Sequence, residues 1–315
     1  MNTNERNTDA RDQVNPEGFK PQQSAEGGRQ DIHQAITDQI LAAMETARTT
    51  GRRLWDSQPS LPLSLATGKP YQGINTLILW GAALTRGYTS PYWLTYKQSA
   101  ERGGQVRKGE RGTRCVFYKP WESQETNPDT GKTETTRGAV LKSFTLFNLD
   151  QIDGIEAPAR EPRAPFQAIE DAERILQASP ARIIEGGPSA FYQPDADTIH
   201  LPAREAFINP EAFYSVALHE MTHSTGHKSR MARDFSGRFG TEAYAFEELI
   251  AEMGSAFLNA DLGIIGSTLQ DHADYLAHWV AILKSDKKAI LTAAAAASKA
   301  HGFIKALANQ EQAAA

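Results

Sequence analysis

The stretch YSVALHEMTHSTGHKSR, Tyr214 to Arg230, carries His219, His223 and His227 at intervals of four residues. On a helix that interval returns to one face after a turn, so His219 and His223 can present both imidazoles to a single point. The residues just before, AFYSVAL, are apolar on the same period, which predicts a packed helix rather than a solvated one. A later apolar stretch, FEELIAEMGSAFL, holds Glu247, Glu248 and Glu252. Acids on a packed helix are costly unless they are paired or bound to a metal. Any fold of this chain must satisfy both helices, and a shared metal ion does so.

A catalytic zinc takes three protein ligands and leaves its fourth position to water. Two histidines and one of the three glutamates meet that need. Glu248 and Glu252 lie one turn apart, so one can bind the ion while the other holds a ligand histidine from behind. Glu220, one residue past His219, is placed to accept a proton from water at the ion. The implied chemistry is metal-assisted hydrolysis, with Zn2+ expected and another divalent ion such as Mn2+ the alternative. Tyr244, His227 and Arg230 are candidates for contact with substrate or with a developing oxyanion.

The first half of the chain reads differently. Overall the balance is mildly acidic, 33 Lys+Arg against 38 Asp+Glu for a net −5, yet Arg86–Lys119 holds eight cations and two acids. Aromatic residues interleave with those cations. Phosphates call for cations and exposed bases call for flat rings, so this window predicts single-stranded nucleic-acid binding. Trp93, Tyr96, Lys97, Arg102, Arg107, Lys108, Arg111 and Arg114 are the candidate contacts, whereas Trp80, Phe117 and Tyr118 are assigned to the core.

Several elements can be placed. A helix with Asp31 as N-cap spans Asp31–Ala47, and a more apolar one covers INTLILWGAAL; Ser90-Pro91 predicts the start of a third. CVFYKPW and LKSFTLFNLDQI alternate as strands, with ESQETNPDTGKTETTRG between them as a long hairpin loop. The lone Cys115 excludes an intramolecular disulfide, reads as a small buried residue in a strand, and fits a reducing compartment. Residues 1–30 are polar, without a signal-peptide core, and are expected to be a disordered tail. No run approaches the ~20 apolar residues that span a bilayer. A soluble, cytoplasmic protein that does not engage a membrane is the expectation. Three prolines in EAPAREPRAPF, Glu156–Phe166, mark a domain boundary. Beyond it a helix near 166–178, a strand at ARIIE and two short strands around PDAD are expected, followed by helices, the last of them Ala-rich near 289–308.

HEMTH followed by EELIAE resembles the gluzincin metallopeptidases. In that alignment Glu248 is the third ligand and Glu252 its acidic partner; the reverse assignment and Glu247 stay open. The metzincin pattern fails on register, because Ser229 stands where its third histidine belongs. A turn at Gly226 is expected to carry His227 off the helix face. Zincin folds place a short edge strand just before the active-site helix, where substrate adds as a further strand, and DADTIHLP occupies that place.

LATGKPYQGINTLILW and YTSPYWLTYKQSAERGGQVRKGERGTRCVFYK are similar to the N-terminal domain of ArdC-type antirestriction proteins and TraC-type conjugative primases. HEMTHSTGHKSRMARDFSGRFGTEAYAFEELIAEMGSAFL is close to the peptidase domain of the ArdC family. The resemblance implies an α+β fold of two domains: a single-stranded-DNA-binding domain over 31–155 and, after a linker at 156–165, a mainly helical, gluzincin-like domain with a small sheet over 166–308. It further implies a protein of conjugative plasmids that shields incoming DNA from host restriction. Two other readings remain at this point: a DNA-coating or conjugation accessory protein whose metal site is structural or silent, and a DNA-localised protease of a host DNA-associated protein.

Overall fold

The computed structural model describes residues 31–50, 60–126, 133–158, 165–235, 241–264 and 273–314. The expected tail at 1–30 and most of the expected linker therefore lie outside the described residues. The fold is α+β with two domains, as the resemblance implied.

The N-terminal domain opens with α1 (Ile32–Thr50), where the Asp31 carboxylate accepts from the backbone N–H of His33 at 3.0 Å and Ile36 and Ile40 are buried. Next come β1 (Leu63–Ser64) and α2 (Ile74–Arg86), which ends where Gly87 takes a left-handed conformation. The chain continues into β2 (Tyr92–Leu94) and α3 (Tyr96–Glu101). Ser90-Pro91 thus precedes a strand, not a helix. Trp93 and Leu94 are completely buried, and Trp93 pairs with Asn148 across the sheet. The helix begins a few residues later, where the Thr95 hydroxyl accepts from the N–H of Gln98 and the Gln98 side chain accepts from the N–H of Thr95. That reciprocal cap outweighs the Ser-Pro signal.

After β3 (Gln105–Val106), β4 (Thr113–Thr126) and β5 (Thr133–Asn148) form one long antiparallel ribbon, and β6 (Ile152–Asp153) pairs back with β3. Sheet order is β1-β2-β5-β4. The expected hairpin loop is shorter than its polarity suggested, because Thr126 still pairs with Thr133. Polar, Thr-rich strands suit a ribbon with solvent on both faces. Phe117 and Tyr118, assigned to the core above, are 45% and 57% exposed for the same reason. Trp80 and Cys115 are fully buried, and burial pushes the Cys115 thiol well up.

The C-terminal domain runs α4 (Pro165–Gln177), β7 (Arg182–Gly187), β8 (Phe191–Gln193), β9 (Thr198–Pro202), α5 (Pro210–Ser224), α6 (Glu242–Leu262), α7 (Ala273–Ser285) and α8 (Ala289–Ala314). Its sheet has the order β7-β9-β8, with β9 parallel to β7 and antiparallel to β8. The segment expected at the edge, DADTIHLP, is therefore the central strand. Ile199 and Leu201 share one face of it and are completely buried in the core with Phe213 and Leu218 of α5. The edge strand beside the site is β8.

Helix α6 ties the domains together. Its Leu249, Met253 and Phe257 join a core with Ile36, Trp80 and Cys115, and the Phe257 and Trp80 rings lie 5.8 Å apart. Its Leu258 and Leu262 join a second core with Ile199, Phe213 and Leu218. Helices α5 and α6 approach closely where Gly254 faces Thr222: a Cβ on Gly254 would lie 2.4 Å from Thr222 Cγ2. That missing side chain lets the acids of one helix reach the histidines of the other.

Candidate metal centre

Helix α5 starts at Asn209, whose side chain accepts from the N–H of Ala212 at 2.8 Å, with Pro210 in the first turn. Three to four turns later its buried face delivers His219, Glu220 and His223, each 7–8% exposed. Across the interface α6 delivers Glu247, Glu248 and Glu252.

Three donor groups meet there. The Nε2 atoms of His219 and His223 are 3.2 Å apart, and Glu248 places Oε2 3.4 Å from the first and Oε1 3.5 Å from the second. Ligands arranged tetrahedrally around zinc at about 2.0–2.1 Å lie about 3.3–3.4 Å from one another, so the spacing fits an ion of this class. The far side of each ring has its own acid. His223 Nδ1 faces Glu247 at 3.1 Å, and His219 Nδ1 lies 3.5 Å from Glu252. With an acid beside each Nδ1, both Nε2 atoms turn toward one point, where they face each other and Glu248. A cation resolves that arrangement.

Charge points the same way. Glu220, Glu247, Glu248 and Glu252 surround the two histidines, and among the described residues one guanidinium, Arg233, is in direct contact with the cluster. Burial alone would pull the imidazoles down. Glu248 and Glu252 beside His219 instead hold it well above the usual range, and Glu247 and Glu248 hold His223 up at about 9. Burial would likewise raise Glu248, but the two histidines keep its carboxyl well below the usual carboxylate range.

Arg233 was not singled out from the sequence, and it braces Glu247 against the end of α5. Its Nε and one Nη donate to the two oxygens of Glu247 at 2.9 and 2.8 Å. The same guanidinium donates to the Thr222 carbonyl at 2.8 Å and the Thr225 hydroxyl at 2.7 Å, at the C-terminal end of α5. A cation at that end also meets the negative pole of the helix.

A cleft of about 390 Å3 opens onto the cluster. Glu220 lines it together with the three donor residues; Phe191 and Tyr192 of β8, Tyr244 and Phe235 complete the lining, with the Tyr192 and Phe235 rings 5.8 Å apart. Two expected substrate contacts are elsewhere. Beyond Gly226 the chain turns, and His227 Nδ1 bonds the Ser229 hydroxyl at 2.7 Å, outside the cleft lining. Arg230 also misses the cleft. Its guanidinium is spent on the Ser224 carbonyl, both Asp197 oxygens and the Tyr192 hydroxyl, so it steadies β8 from behind. Tyr244 is the one of the three that reaches the cavity.

Comparison with known proteins agrees with this architecture. Residues 30–147 match the N-terminal domain of anti-restriction factor ArdC, and residues 170–296 match a zincin-like metallopeptidase family. The crystal structure of antirestriction ArdC from plasmid R388, in its metal-free form, superposes with a TM-score of 0.73 at 38% identity, covering 89% of this chain and 98% of that one. The chain belongs to the ArdC family. The Mn(II)-bound form of R388 ArdC superposes with a TM-score of 0.71, over 88% of this chain and 98% of that one. The protein y4eC of Sinorhizobium fredii is 38% identical over 90% of this chain and 94% of its own length. A DNA primase TraC of Escherichia coli is 37% identical over 89% of this chain, which spans only 27% of that protein. A zincin-like fold implies a divalent metal, and the donor set described above is chemically suited to one.

Within the ArdC-type N-terminal domain the basic window divides. Trp93, expected to contact DNA, is completely buried with its ring edge-on to Tyr88 and offers no face to a base. Arg107 is matched by Glu110 at 3.0 Å and Asp153 at 3.3 Å, and brackets β3 to β6 rather than presenting a free charge. Tyr96 is 55% exposed, and Lys97 forms a surface pair with Glu101 at 3.7 Å. Arg102, Lys108, Arg111 and Arg114 lie on the surface, Arg102 with one Nη on the Ala66 carbonyl at 3.3 Å.

Among the described residues no helix is long and apolar enough to cross a membrane.

Proposed function

We propose that this ArdC-family chain protects incoming DNA by binding it single-stranded through its N-terminal domain while carrying a metal-dependent peptidase site in its C-terminal domain. The observation behind the peptidase reading is the meeting of His219 Nε2, His223 Nε2 and Glu248 within 3.5 Å of one another, with Glu220 on the same cleft wall. In this reading those three residues hold Zn2+; Mn2+ is the alternative, in keeping with the Mn(II) form of the R388 relative. Such an ion supplies Lewis acidity, acidifying water and polarising a carbonyl.

The chain's own residues do the rest. Glu220 accepts the proton from the attacking water and returns it to the leaving amine. Glu252 and Glu247 fix the two imidazoles by their Nδ1 atoms, and Arg233 fixes Glu247. Tyr244 is the side chain placed to donate to the oxyanion. A peptide enters along the free edge of β8, where Phe191 and Tyr192 line the cleft. The DNA contacts proposed for the N-terminal domain are Tyr96, Lys97, Arg102, Lys108, Arg111 and Arg114.

The deciding experiment is conjugative transfer into a restricting recipient, with Glu220→Gln beside the wild type and metal content measured on both proteins. Loss of protection at full metal occupancy supports a hydrolytic role. Equal protection overturns it and leaves a DNA-coating protein with a silent site.

A further inference from the structure

The β4–β5 ribbon carries apolar side chains out into solvent. Besides Phe117 and Tyr118, Trp121 is 44% exposed and Val140 on the facing strand 49%. Side chains alternate along a strand, so Phe117, Lys119 and Trp121 share one face. Opposite them in register stand Lys142, Val140 and Gly138. That face therefore holds two rings and two cations among these six positions, and no acid. Among the described residues an ion pair of the ribbon, Arg137 to Glu122 at 3.2 Å, belongs to the other face.

The indole is seated for use. A Cβ added at Gly138 would lie 2.6 Å from Trp121 Cζ2 and 2.7 Å from Cε2, so the ring rests against bare backbone of the opposite strand. The ring is packed against Gly138 and still leaves 44% of the residue exposed. Glycine inside a strand weakens it and marks a close approach of this kind. Exposed apolar groups that a monomer could have buried signal a partner. Protein interfaces are depleted in lysine, whereas a single nucleic-acid strand uses both the cations and the rings.

Resting on the reading that the chain binds single-stranded DNA, we infer that this face of the β4–β5 ribbon is the base-stacking surface: Phe117 and Trp121 stack on bases, and Lys119 and Lys142 pair with phosphates. The two rings are four residues apart on one strand, about 13 Å, so they engage different bases. This differs from the glycine-rich window 102–114, which supplies charge alone.

The test uses the full chain and a fluorescently labelled oligothymidylate, with affinity read by anisotropy across a salt series. Phe117→Ala and Trp121→Ala should each weaken binding by roughly 5- to 150-fold, the worth of one stacked base, at an unchanged salt slope. Lys119→Ala/Lys142→Ala should instead lower that slope by about 1.4, or 0.7 per phosphate lost. Gly138→Ala keeps both rings but lifts the indole from its seat, so it should weaken binding in a protein that retains every aromatic residue. On a strand of the same length with abasic sites, the aromatic variants and wild type should bind alike. If wild type binds and the ring variants match it, or if they lose as much on the abasic strand, the ribbon is not the stacking surface while DNA binding stands. Should wild type ignore the oligonucleotide but hold an unrelated protein through Trp121, both this inference and the DNA reading fall.

Discussion

Replacing Arg233 by Met tests whether the metal centre depends on its outer contacts. The guanidinium meets Glu247 through two hydrogen bonds and the end of α5 through several more, and both side chains are at most 10% exposed. Burial alone would raise Glu247, but His223 and Arg233 hold its carboxyl below the usual range. Without Arg233 that carboxylate is left buried beside three others. Two losses follow. Removing one member of a buried pair costs about 3–5 kcal/mol of fold stability. Losing the group that orients a ligand's partner costs about 10- to 100-fold in metal affinity, or about 1.4–2.7 kcal/mol. Competition titration with a chromophoric chelator reads the affinity, and thermal denaturation without metal reads the fold. Arg233→Lys keeps the charge without the fork and should recover only part of the affinity. Affinity within twofold of wild type in a folded Arg233→Met protein would refute the claim that Arg233 acts on His223 through Glu247.

Other perturbations reach different parts of the account. Gly254→Ala drives a methyl into Thr222 Cγ2 and should cost about 1–3 kcal/mol together with metal affinity; adding Thr222→Ser should restore much of both, and no rescue would place the strain elsewhere. Metal uptake at neutral pH should release protons, because His219 and His223 are held above their usual range, so apparent affinity should rise toward pH 9; calorimetry in buffers of different ionisation enthalpy counts those protons, and a count of zero contradicts the ligand assignment. Asp261, despite burial that would raise it, is lowered to about 2 by His301 and Lys305, which fasten α8 to α6. A depressed carboxylate adds stability that is complete above its unfolded value near 4 and disappears as pH falls through about 2. Its worth is about 2 kcal/mol, and Asp261→Asn should remove it at pH 7 and flatten the acid limb of the stability curve.

The central residues were legible because their relation is local. His219, Glu220 and His223 lie within one turn and a half of helix, where spacing alone fixes their geometry. The sequence offered Glu247, Glu248 and Glu252 as a set, but which of them faces Nε2 and which Nδ1 depends on how α6 crosses α5. That crossing is set by the Gly254–Thr222 approach, which no periodicity reports. Arg233 escaped notice because its partner is fourteen residues away on another element. Alternation along β4 told which residues share a face but not how far the ribbon leaves the body, so Trp93 and Phe117 exchanged their expected places. The same blindness made β9 an edge. A strand's neighbours are set by long-range pairing, and the pairing of β9 with both β7 and β8 joins residues that no local pattern connects.

The most direct test of the account is an anomalous-scattering map from crystals of this protein loaded with zinc. One peak is predicted, about 2.0–2.2 Å from His219 Nε2, His223 Nε2 and a Glu248 oxygen, with Glu252 and Glu247 left on the Nδ1 atoms. A peak bound to Glu252 or Glu247 in place of Glu248, or no peak between the two histidines, would contradict it.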